Sequence, residues 1–454
     1  MIVVFDDEVA SPKQTLENVG LTVDDARDMG AKGYEPPGPG EPKAVYLDTL
    51  KVAVVPGDAG PVQELRSQSG VIIEAERFVF TATDNLIDAA AFGDGPHSSR
   101  PKPFIQGDVG AYPFIQGPVG AYPFIQGPVG AYPFIQSGPA AMVTYLAGFR
   151  DAAQGLLDRF AAQSMMAAVD ESQATWGLQA IGALLSRLSG RGVGVAVLDT
   201  GFDARHPDFR DRDIVTKSFI TGESADDGHG HGTHCIGTAC GPWEPDRPPR
   251  YGIAYNAKIF AGKVLSNDGV GTDGEVLAGM NWAIDSGCKV ISMSLGTPVE
   301  RGARYSRAFE RIAQRALNQG TIIVAAAGNE SRRDMNIVNP VSHPANCPSI
   351  LAVAAVDQNM KVAFFSNQGD PAGGGVVDIA APGMGVYSSY VMPTRYRTMN
   401  GTSMATPHVA GVAALFAEIR PDATAAELKQ LILETARQIP GAAVDIGAGL
   451  VQAP

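Results

Sequence analysis

The chain is poor in cysteine and has no long apolar run. Four cysteines in 454 residues are too few for a disulfide-stapled scaffold. We expect Cys235 to pack as a small hydrophobe, whereas Cys240, Cys288 and Cys347 could either pair or stay reduced. No apolar stretch approaches the roughly 18 residues that a transmembrane helix needs. These absences argue against a disulfide-rich scaffold and against a membrane span in the chain as written.

Positive charge is also scarce. The 35 Lys and Arg residues stand against 48 Asp and Glu, and the net charge of −13 argues against nucleic acid as a partner. The hydrophobic content of 45% is enough for a large core, and the length favours two or more units. The segment Met1–Asp7 lacks the basic start of a signal peptide. Location is left open: cytoplasmic as written, or secreted if a leader was trimmed.

The stretch Gly401–His408 presents a serine where a nucleophile could work. Ser403 lies between a glycine turn and the apolar, helix-compatible run Val409–Ala417. A serine hydroxyl is a weak nucleophile, so it needs a base and a group that orients the base. At a helix start, unpaired backbone N–H groups can face a developing oxyanion. Gly-Thr-Ser also makes ordinary helix caps, so this stretch alone is only suggestive.

A base and an acid are presented upstream in similar settings. The apolar run Val193–Leu198 predicts a buried parallel strand that delivers Asp199 at its carboxyl end, where open α/β sheets place their chemistry. His231 opens an apolar, small-residue segment after a glycine-rich loop. The chain order Asp, His, Ser is one of the known orders of a Ser-His-Asp arrangement.

Four motifs in this order resemble those of the subtilisin family of serine proteases. They are Asp199–Gly201, His231–His234, Ala326–Glu330 and Gly401–Ala405. The similarity runs from about Thr175 to Val451. It implies an α/β peptidase domain with a parallel sheet and helices on both faces. It also implies a serine endopeptidase that requires no cofactor for catalysis.

The resemblance assigns a role to each matched residue. Ser403 would attack the scissile carbonyl, and His231 would take its proton and later give it to the leaving amine. Asp199 would hold the imidazole in the correct tautomer. Asn329 and the backbone N–H of Ser403 would stabilise the oxyanion.

The resemblance also places a substrate groove. One edge would be Ser294, Leu295 and Gly296, and the opposite edge would be the turn that contains Gly269 and Gly271. Between two such edges an extended peptide is held by main-chain hydrogen bonds. The specificity pocket would be lined by Leu295, Gly296 and the segment 325–328, which includes Ala327 and Gly328. Because these walls are small and apolar, we expect apolar or aromatic side chains at the cleavage position.

Metal sites are weakly indicated. His229, His231 and His234 could form a cluster of imidazole ligands, but no fourth ligand is obvious. Asp208 resembles a calcium ligand of the family, although the segment Gly241–Pro249 does not reproduce the usual ligand loop. Binding of a structural calcium ion at Asp208 is therefore left open, and no other part of the sequence supports it.

Residues 1–82 are expected to form a separate, small α+β unit. The predicted elements are strands at Ile2–Phe5, Leu47–Val55 and Val71–Phe80 and a helix at Gly60–Gln68. The unit resembles the family's N-terminal propeptide, which is a folding chaperone and an intramolecular, product-like inhibitor. On that analogy we expect a first self-cleavage between Phe80 and Asp84, so that the protein would be a zymogen.

A decapeptide repeat occupies residues 103–136, within a linker at 83–138. Copies begin at Pro103, Pro113 and Pro123, and a partial copy spans Pro133–Gln136. Proline and glycine in every copy exclude a helix and interrupt any central strand. A spacer, a multivalent aromatic tether and a segment that enters the enzyme's own groove are the three interpretations that stay open.

The sequence predicts an amphipathic helix at Ala140–Met166, within a second linker at 139–171, and a peptidase domain at 172–454. The leading interpretation is a self-processing serine endopeptidase that acts on extended polypeptides. Two alternatives are a dedicated processing protease, acting on its own repeat region or on one partner protein, and a non-catalytic binding protein on the same scaffold.

Overall fold

A computed structural model describes residues 1–26, 35–38, 41–57, 59–81, 170–370, 372–373 and 375–454. The predicted helix at Ala140–Met166 and the decapeptide repeats lie outside these residues, and so do the linkers that contain them, except for residues 170 and 171.

The amino-terminal part contains a five-stranded sheet and two helices. Its elements are β1 (Ile2–Phe5), α1 (Pro12–Asn18), β2 (Thr22–Asp25), β3 (Lys43–Leu47), β4 (Val52–Val54), α2 (Ala59–Arg66) and β5 (Val71–Glu74). The strand order is β2-β3-β4-β1-β5. Side chains alternate along β1, so Val3 and Phe5 pack with Leu16 of α1 and Leu65 of α2. Ile2 and the other residues of the opposite face join the core of the larger part.

Two predicted strands of this part are wrong in extent. The run Leu47–Val55 was expected as one strand, but the chain turns between β3 and β4, and Lys51 adopts a left-handed φ of 48°. The run Val71–Phe80 breaks after Glu74. Its second half, β6 (Phe78–Thr81), leaves the five-stranded sheet and pairs with two distant strands. Each run carries polar residues near its break, namely Asp48, Thr49 and Lys51 in the first and Glu74, Glu76 and Arg77 in the second. Because polar side chains are also usual on the exposed face of a strand, these residues do not by themselves mark the breaks.

The larger part is built around a seven-stranded parallel sheet, of order β15-β14-β13-β11-β7-β9-β8. The strands that follow β6 are β7 (Gly194–Asp199), β8 (Ile214–Ser218), β9 (Lys258–Lys263), β10 (Val270–Thr272), β11 (Val290–Met293), β12 (Leu295–Gly296), β13 (Ile322–Ala326), β14 (Leu351–Val356), β15 (Ile379–Pro382), β16 (Val386–Ser389) and β17 (Tyr396–Met399). The helices that follow α2 are α3 (Trp176–Ala180), α4 (His231–Cys240), α5 (Asp273–Asp285), α6 (Arg307–Asn318), α7 (Thr402–Ile419), α8 (Ala425–Glu434) and α9 (Ala443–Ile446).

Helices cover both faces of this sheet, as the sequence predicts. Along β7, Val195 and Val197 pack with the helices α4 and α7. Ala196 and Leu198 point to the other face and pack with α5 and α6. The near-continuous apolar strands follow from this double burial, because neither face of the sheet meets water. The predicted α/β fold is therefore confirmed.

Two further expectations concern the described part of the chain. The four cysteines are free thiols and all are buried, so the open question of their pairing is answered in favour of the reduced form. Among the described residues, no helix has the length and the apolar character required to cross a bilayer.

Candidate active site

Three elements bring the predicted site residues to one edge of the parallel sheet. Asp199 is the last residue of β7, His231 is the first residue of α4, and Ser403 lies in the first turn of α7. All three side chains are buried. The helices α4 and α7 pack on the same face of the sheet, which joins their amino termini to the carboxyl end of β7.

His231 and Asp199 form a buried hydrogen-bonded pair. The Nδ1 atom of His231 lies 2.7 Å from Oδ1 of Asp199, and the same oxygen accepts from the N–H of Thr200 at 2.7 Å. Burial alone would lower the pKa of His231, but the charge of Asp199 and this hydrogen bond raise that pKa well above 6.5. With Nδ1–H donated to a carboxylate, Nε2 is the atom that can accept a proton. Among the described residues it has no hydrogen-bond partner.

Ser403 forms hydrogen bonds with Ser294 through both its hydroxyl and its carbonyl. The hydroxyl donates to the carbonyl of Ser294 at 3.1 Å, and the hydroxyl of Ser294 donates to the carbonyl of Ser403 at 2.8 Å. Cys235 connects the two sides of the site, since its Sγ lies 3.5 Å from the carbonyl oxygen of Ser403 and 3.9 Å from Nδ1 of His231. Burial raises the pKa of Cys235, so it is a neutral thiol and a poor nucleophile.

The start of α7 is fixed by a glycine and an asparagine. Gly401 precedes the helix with φ 150° and ψ 157°, a conformation that side chains disfavour. The side-chain carbonyl oxygen of Asn329 accepts from both the N–H and the hydroxyl of Thr402, each at 2.9 Å. Since that oxygen is held by Thr402, the amide nitrogen of Asn329 is the end that can donate to a bound group.

Asp227 organises the loop before His231, a role that is not predicted from the sequence above. Its Oδ1 accepts from the N–H groups of His229 and Gly230 and from the hydroxyl of Thr200. Its Oδ2 accepts from the N–H and the hydroxyl of Thr233. The signal was an Asp-Gly pair opening a glycine-rich loop, a pattern in which the carboxylate binds the backbone a few residues on.

The two predicted groove edges lie on either side of β6. In the register, Val270 and Gly271 of β10 pair with Phe80 and Val79, while Leu295 and Gly296 of β12 pair with Thr81 and Phe80. The carbonyl of Gly269 accepts from the N–H of Thr81 at 3.0 Å. Val79 is buried, whereas Phe78 and Phe80 are 65% and 42% exposed. The edges therefore bind the backbone of residues 78–81 and bury one side chain in four.

The expected pocket wall follows β13 directly. Ala327 is buried and donates its N–H to the carbonyl of Val353 at 3.0 Å. Gly328 has a φ of 106°, and an added Cβ would come within 2.3 Å of the Ser342 hydroxyl. Its N–H donates to the Thr402 hydroxyl at 3.2 Å, so this wall is tied to the start of α7.

Carboxylates of the amino-terminal part contact the starts of two helices. Glu74 accepts from the N–H groups of Arg307 and Ala308 and from the hydroxyl of Ser306, at the beginning of α6. Glu76 accepts from the N–H of Gly274 at 2.9 Å, in the first turn of α5. Anionic groups at helix amino termini satisfy orphan N–H groups and interact favourably with the helix dipole.

Asp208 does not have the surroundings of a calcium ligand. Its carboxylate accepts from the hydroxyl of Tyr251 at 2.5 Å, from the hydroxyl of Tyr396 at 3.0 Å and from the N–H of Asp246 at 2.7 Å. Hydrogen-bond donors thus point at the oxygens that a cation would need, whereas calcium sites are built from oxygen acceptors. The residues present do not fit the ion.

His229 and His234 have separate surroundings. The Nε2 of His234 lies 3.1 and 3.0 Å from the carbonyls of Val386 and Arg397, and burial lowers its pKa to about 3. His229 is partly buried, and burial also lowers its pKa. Within the described residues, the group with metal-ligand spacing is Asp199, His231 and Cys235, not the three histidines.

Comparison with known proteins covers the part of the chain that carries this site. Residues 190–449 match the model of the subtilase family. The chain is similar to subtilisin DY from Bacillus licheniformis, with 38% identity over 263 residues, which are 58% of this chain and 89% of that protein. It is similar to subtilisin BL from Lederbergia lenta, with 39% identity over 282 residues, 61% of this chain and 96% of that protein. It is also similar to thermitase from Thermoactinomyces vulgaris, with 38% identity over 265 residues, 58% of this chain and 88% of that protein.

Proposed function

The chain belongs to the subtilase family and is a serine endopeptidase, and from this premise we propose that Ser403, His231 and Asp199 are its catalytic residues. The observation that carries the proposal is the buried 2.7 Å contact between His231 and Asp199 beside the first turn of α7, which contains Ser403.

The proposed reaction begins when the Ser403 hydroxyl turns from the carbonyl of Ser294 towards Nε2 of His231. Ser403 Oγ attacks the carbonyl carbon of an extended polypeptide while Nε2 takes the hydroxyl proton. The amide nitrogen of Asn329 and the N–H of Ser403 stabilise the negative oxygen. His231 then gives the proton to the leaving amine, and water hydrolyses the acyl-enzyme by the same steps. Asp199 keeps the imidazole in the required tautomer and stabilises its protonated form.

A serine-directed fluorophosphonate probe tests this assignment. We expect one modified residue, Ser403, when the labelled protein is digested and mapped by mass spectrometry. The Ser403→Ala protein should not be labelled, while Ser294→Ala, which keeps the neighbouring hydroxyl of Ser403, should still react. Labelling at another serine, or no labelling of folded protein that cleaves casein, would contradict the proposal.

We also propose that residues 1–82 are an intramolecular inhibitor, so that the enzyme is made as a zymogen. The backbone of β6 pairs with both groove edges, which supports a product-like mode of binding. The contacts of Glu74 and Glu76 at two helix starts support a docked unit rather than a loose tail. A peptide chain bound between the two edges excludes any other substrate from them.

The register of β6 suggests a self-cleavage position. Thr81 pairs with Leu295, and the residue before Leu295 is Ser294, whose carbonyl accepts from the Ser403 hydroxyl. A register continued by one residue would pair Ala82 with Ser294. We therefore propose the Ala82–Thr83 bond, which falls within the range Phe80 to Asp84 expected from the sequence. The bond itself lies outside the described residues.

A second candidate is a processing protease for its own repeat region. The buried Val79 is three residues before Ala82, and the repeats contain Val119 three residues before Tyr122, followed by Pro123. A repeat bound in the same register would bury its valine and present the Tyr-Pro bond to Ser403. Since proline has no N–H and its amide is tertiary, the Tyr-Pro bond in this register would resist cleavage, so this binding mode favours competitive inhibition by the repeats, and processing would need a different register.

Casein and a synthetic repeat peptide distinguish the two candidates. A general endopeptidase cleaves casein, and the repeat peptide then acts at most as a competitive inhibitor. A dedicated processing enzyme cleaves the repeat peptide with a much larger kcat/KM than casein. If the peptide is neither cleaved nor inhibitory, the repeats have no function in the groove.

A further inference from the structure

We propose that Asp273 is a specificity-determining residue that selects a basic side chain at the substrate position occupied here by Arg77. The inference rests on the proposed function, because it treats β6 as a guide to how substrates lie in the groove. It extends the groove beyond the two edges, to the residue just before β6.

Asp273 binds Arg77 through its backbone and through its side chain. Its N–H donates to the carbonyl of Arg77 at 3.0 Å. Its Oδ2 accepts from the N–H of Arg77 at 3.1 Å and from Nη1 of the same residue at 3.4 Å. The main-chain contacts are available to any residue, but the contact with Nη1 requires a cationic side chain.

The carboxylate of Asp273 is held in one orientation by His343. Its Oδ1 lies 3.0 Å from Nε2 of His343, whose ring packs edge-on against Phe309 with 4.5 Å between the ring centres. Asp273 and His343 are both buried. A buried carboxylate with one oxygen fixed by a ring keeps the other oxygen aimed at the groove, which is the preorganisation that a recognition site needs.

Asp273 lies directly beside the proposed substrate groove. Asp273 is the first residue of α5, directly after the edge strand β10, and a capping box between Thr272 and Glu275 fixes this junction. Among the described residues, the second carboxylate paired with Arg77 is Glu74, 3.6 Å from Nη2, which belongs to the amino-terminal part. When a substrate replaces that part, Glu74 leaves with it, whereas Asp273 stays with the enzyme.

Competition between peptides tests the inference. The peptides copy residues 77–84 and carry Arg, Ala or Glu at the first position. The purified enzyme receives them in pairs, and mass spectrometry follows both products. The ratio of rates gives the ratio of kcat/KM and does not depend on how much enzyme is active. We expect Arg to be preferred over Ala about fivefold, as for a partly exposed ion pair, and Glu to be disfavoured. In 0.5 M NaCl the preference should shrink.

Two variants identify the residue responsible. Asp273→Asn should reduce the preference for Arg to about twofold or less. Asp268→Asn removes an equal charge from an exposed position in the turn before β10 and should keep the preference. If Asp273→Asn does not fold, the inference is still tested on the wild-type enzyme by the competition between the three peptides and by its dependence on salt. Equal rates for the three peptides, an unchanged preference in Asp273→Asn, or selection of Arg at the Val79 position instead would overturn the inference. Hydrolysis of none of the peptides by enzyme that cleaves casein would also overturn it, whereas absence of all hydrolysis would contradict the proposed function.

Discussion

Asp199 accepts a hydrogen bond from His231 at 2.7 Å in a buried setting, and we predict that this contact sets the pH range of the proposed reaction. Burial acts to lower the pKa of His231, but Asp199 outweighs it and raises that pKa well above 6.5. A protonated His231 cannot act as the proposed base for Ser403, so we expect kcat/KM to fall as the pH drops through this pKa.

The predicted pH profile of kcat/KM therefore has an acid limb whose midpoint lies on the alkaline side of 6.5. It is measured with a peptide that has no ionisable group in this range. Asp199→Asn should lower kcat by about 10⁴, because the imidazole loses its tautomer and its counter-charge. A midpoint below 6.5 in the wild-type enzyme would show that burial has a larger effect on the pKa of His231 than Asp199 has.

Asn329 is predicted to act on the transition state and not on substrate binding. Asn329→Ala should lower kcat by about 10²–10³ and leave KM nearly unchanged, a magnitude taken from a subtilisin that lost the same kind of donor. Steady-state kinetics on one peptide separate the two constants. Since Asn329 also accepts from Thr402, thermal unfolding of the variant is the control for a displaced α7. A rise in KM with an unchanged kcat would assign Asn329 to ground-state binding instead.

Glu74 is predicted to strengthen the contact between the amino-terminal unit and the enzyme. After the proposed self-cleavage the unit can dissociate on dilution, so we expect specific activity to rise as the protein concentration falls. Glu74→Ala removes the acceptor for three groups at the start of α6 and should move this rise to about tenfold higher concentration. Glu64→Ala, on an exposed position of α2, should behave like the wild type. Identical concentration curves for the two variants would show that Glu74 does not strengthen this contact.

Asp208 is predicted to stabilise the fold through tyrosine hydroxyls instead of a calcium ion. Tyr251→Phe should lower the free energy of unfolding by about 1–3 kcal/mol, because Tyr251 is buried and donates to a carboxylate. Tyr387→Phe removes a hydroxyl from the same aromatic cluster and should lower the free energy of unfolding by less than Tyr251→Phe does. A chelator should leave the unfolding midpoint of the wild type unchanged. A drop with chelator that Asp208→Asn abolishes would show that an ion binds there.

The local motifs of the sequence predict much of the fold and of the candidate site. Asp199 follows an apolar strand, and His231 and Ser403 follow glycine-rich turns, so short stretches suffice to mark them. The sheet and its two helical faces follow from apolar strands that alternate with helices. In contrast, β6 could not be separated from β5, because its partners Gly271 and Leu295 lie far along the chain.

Contacts between residues far apart in the chain could not be predicted from the sequence for the same reason. Asp273 and His343 show no pattern around either residue, and their hydrogen bond exists only once α5 and the loop after β13 are packed. Asp227 binds nearby backbone, but a lone Asp-Gly pair has many ordinary uses in turns. Whether Asp208 could bind calcium was not predictable from the sequence, because the hydroxyls of Tyr251 and Tyr396 reach its carboxylate only in the folded chain.

Mass spectrometry of the intact wild-type and Ser403→Ala proteins after identical expression tests the central claim most directly. We predict that the wild type is cut at the Ala82–Thr83 bond, giving a fragment that ends at Ala82 and an enzyme that begins at Thr83 or at a later secondary site. Ser403→Ala should remain whole, with residues 1–82 still attached. An uncut wild type that is fully active, or the same fragments in Ser403→Ala, would contradict self-processing by Ser403.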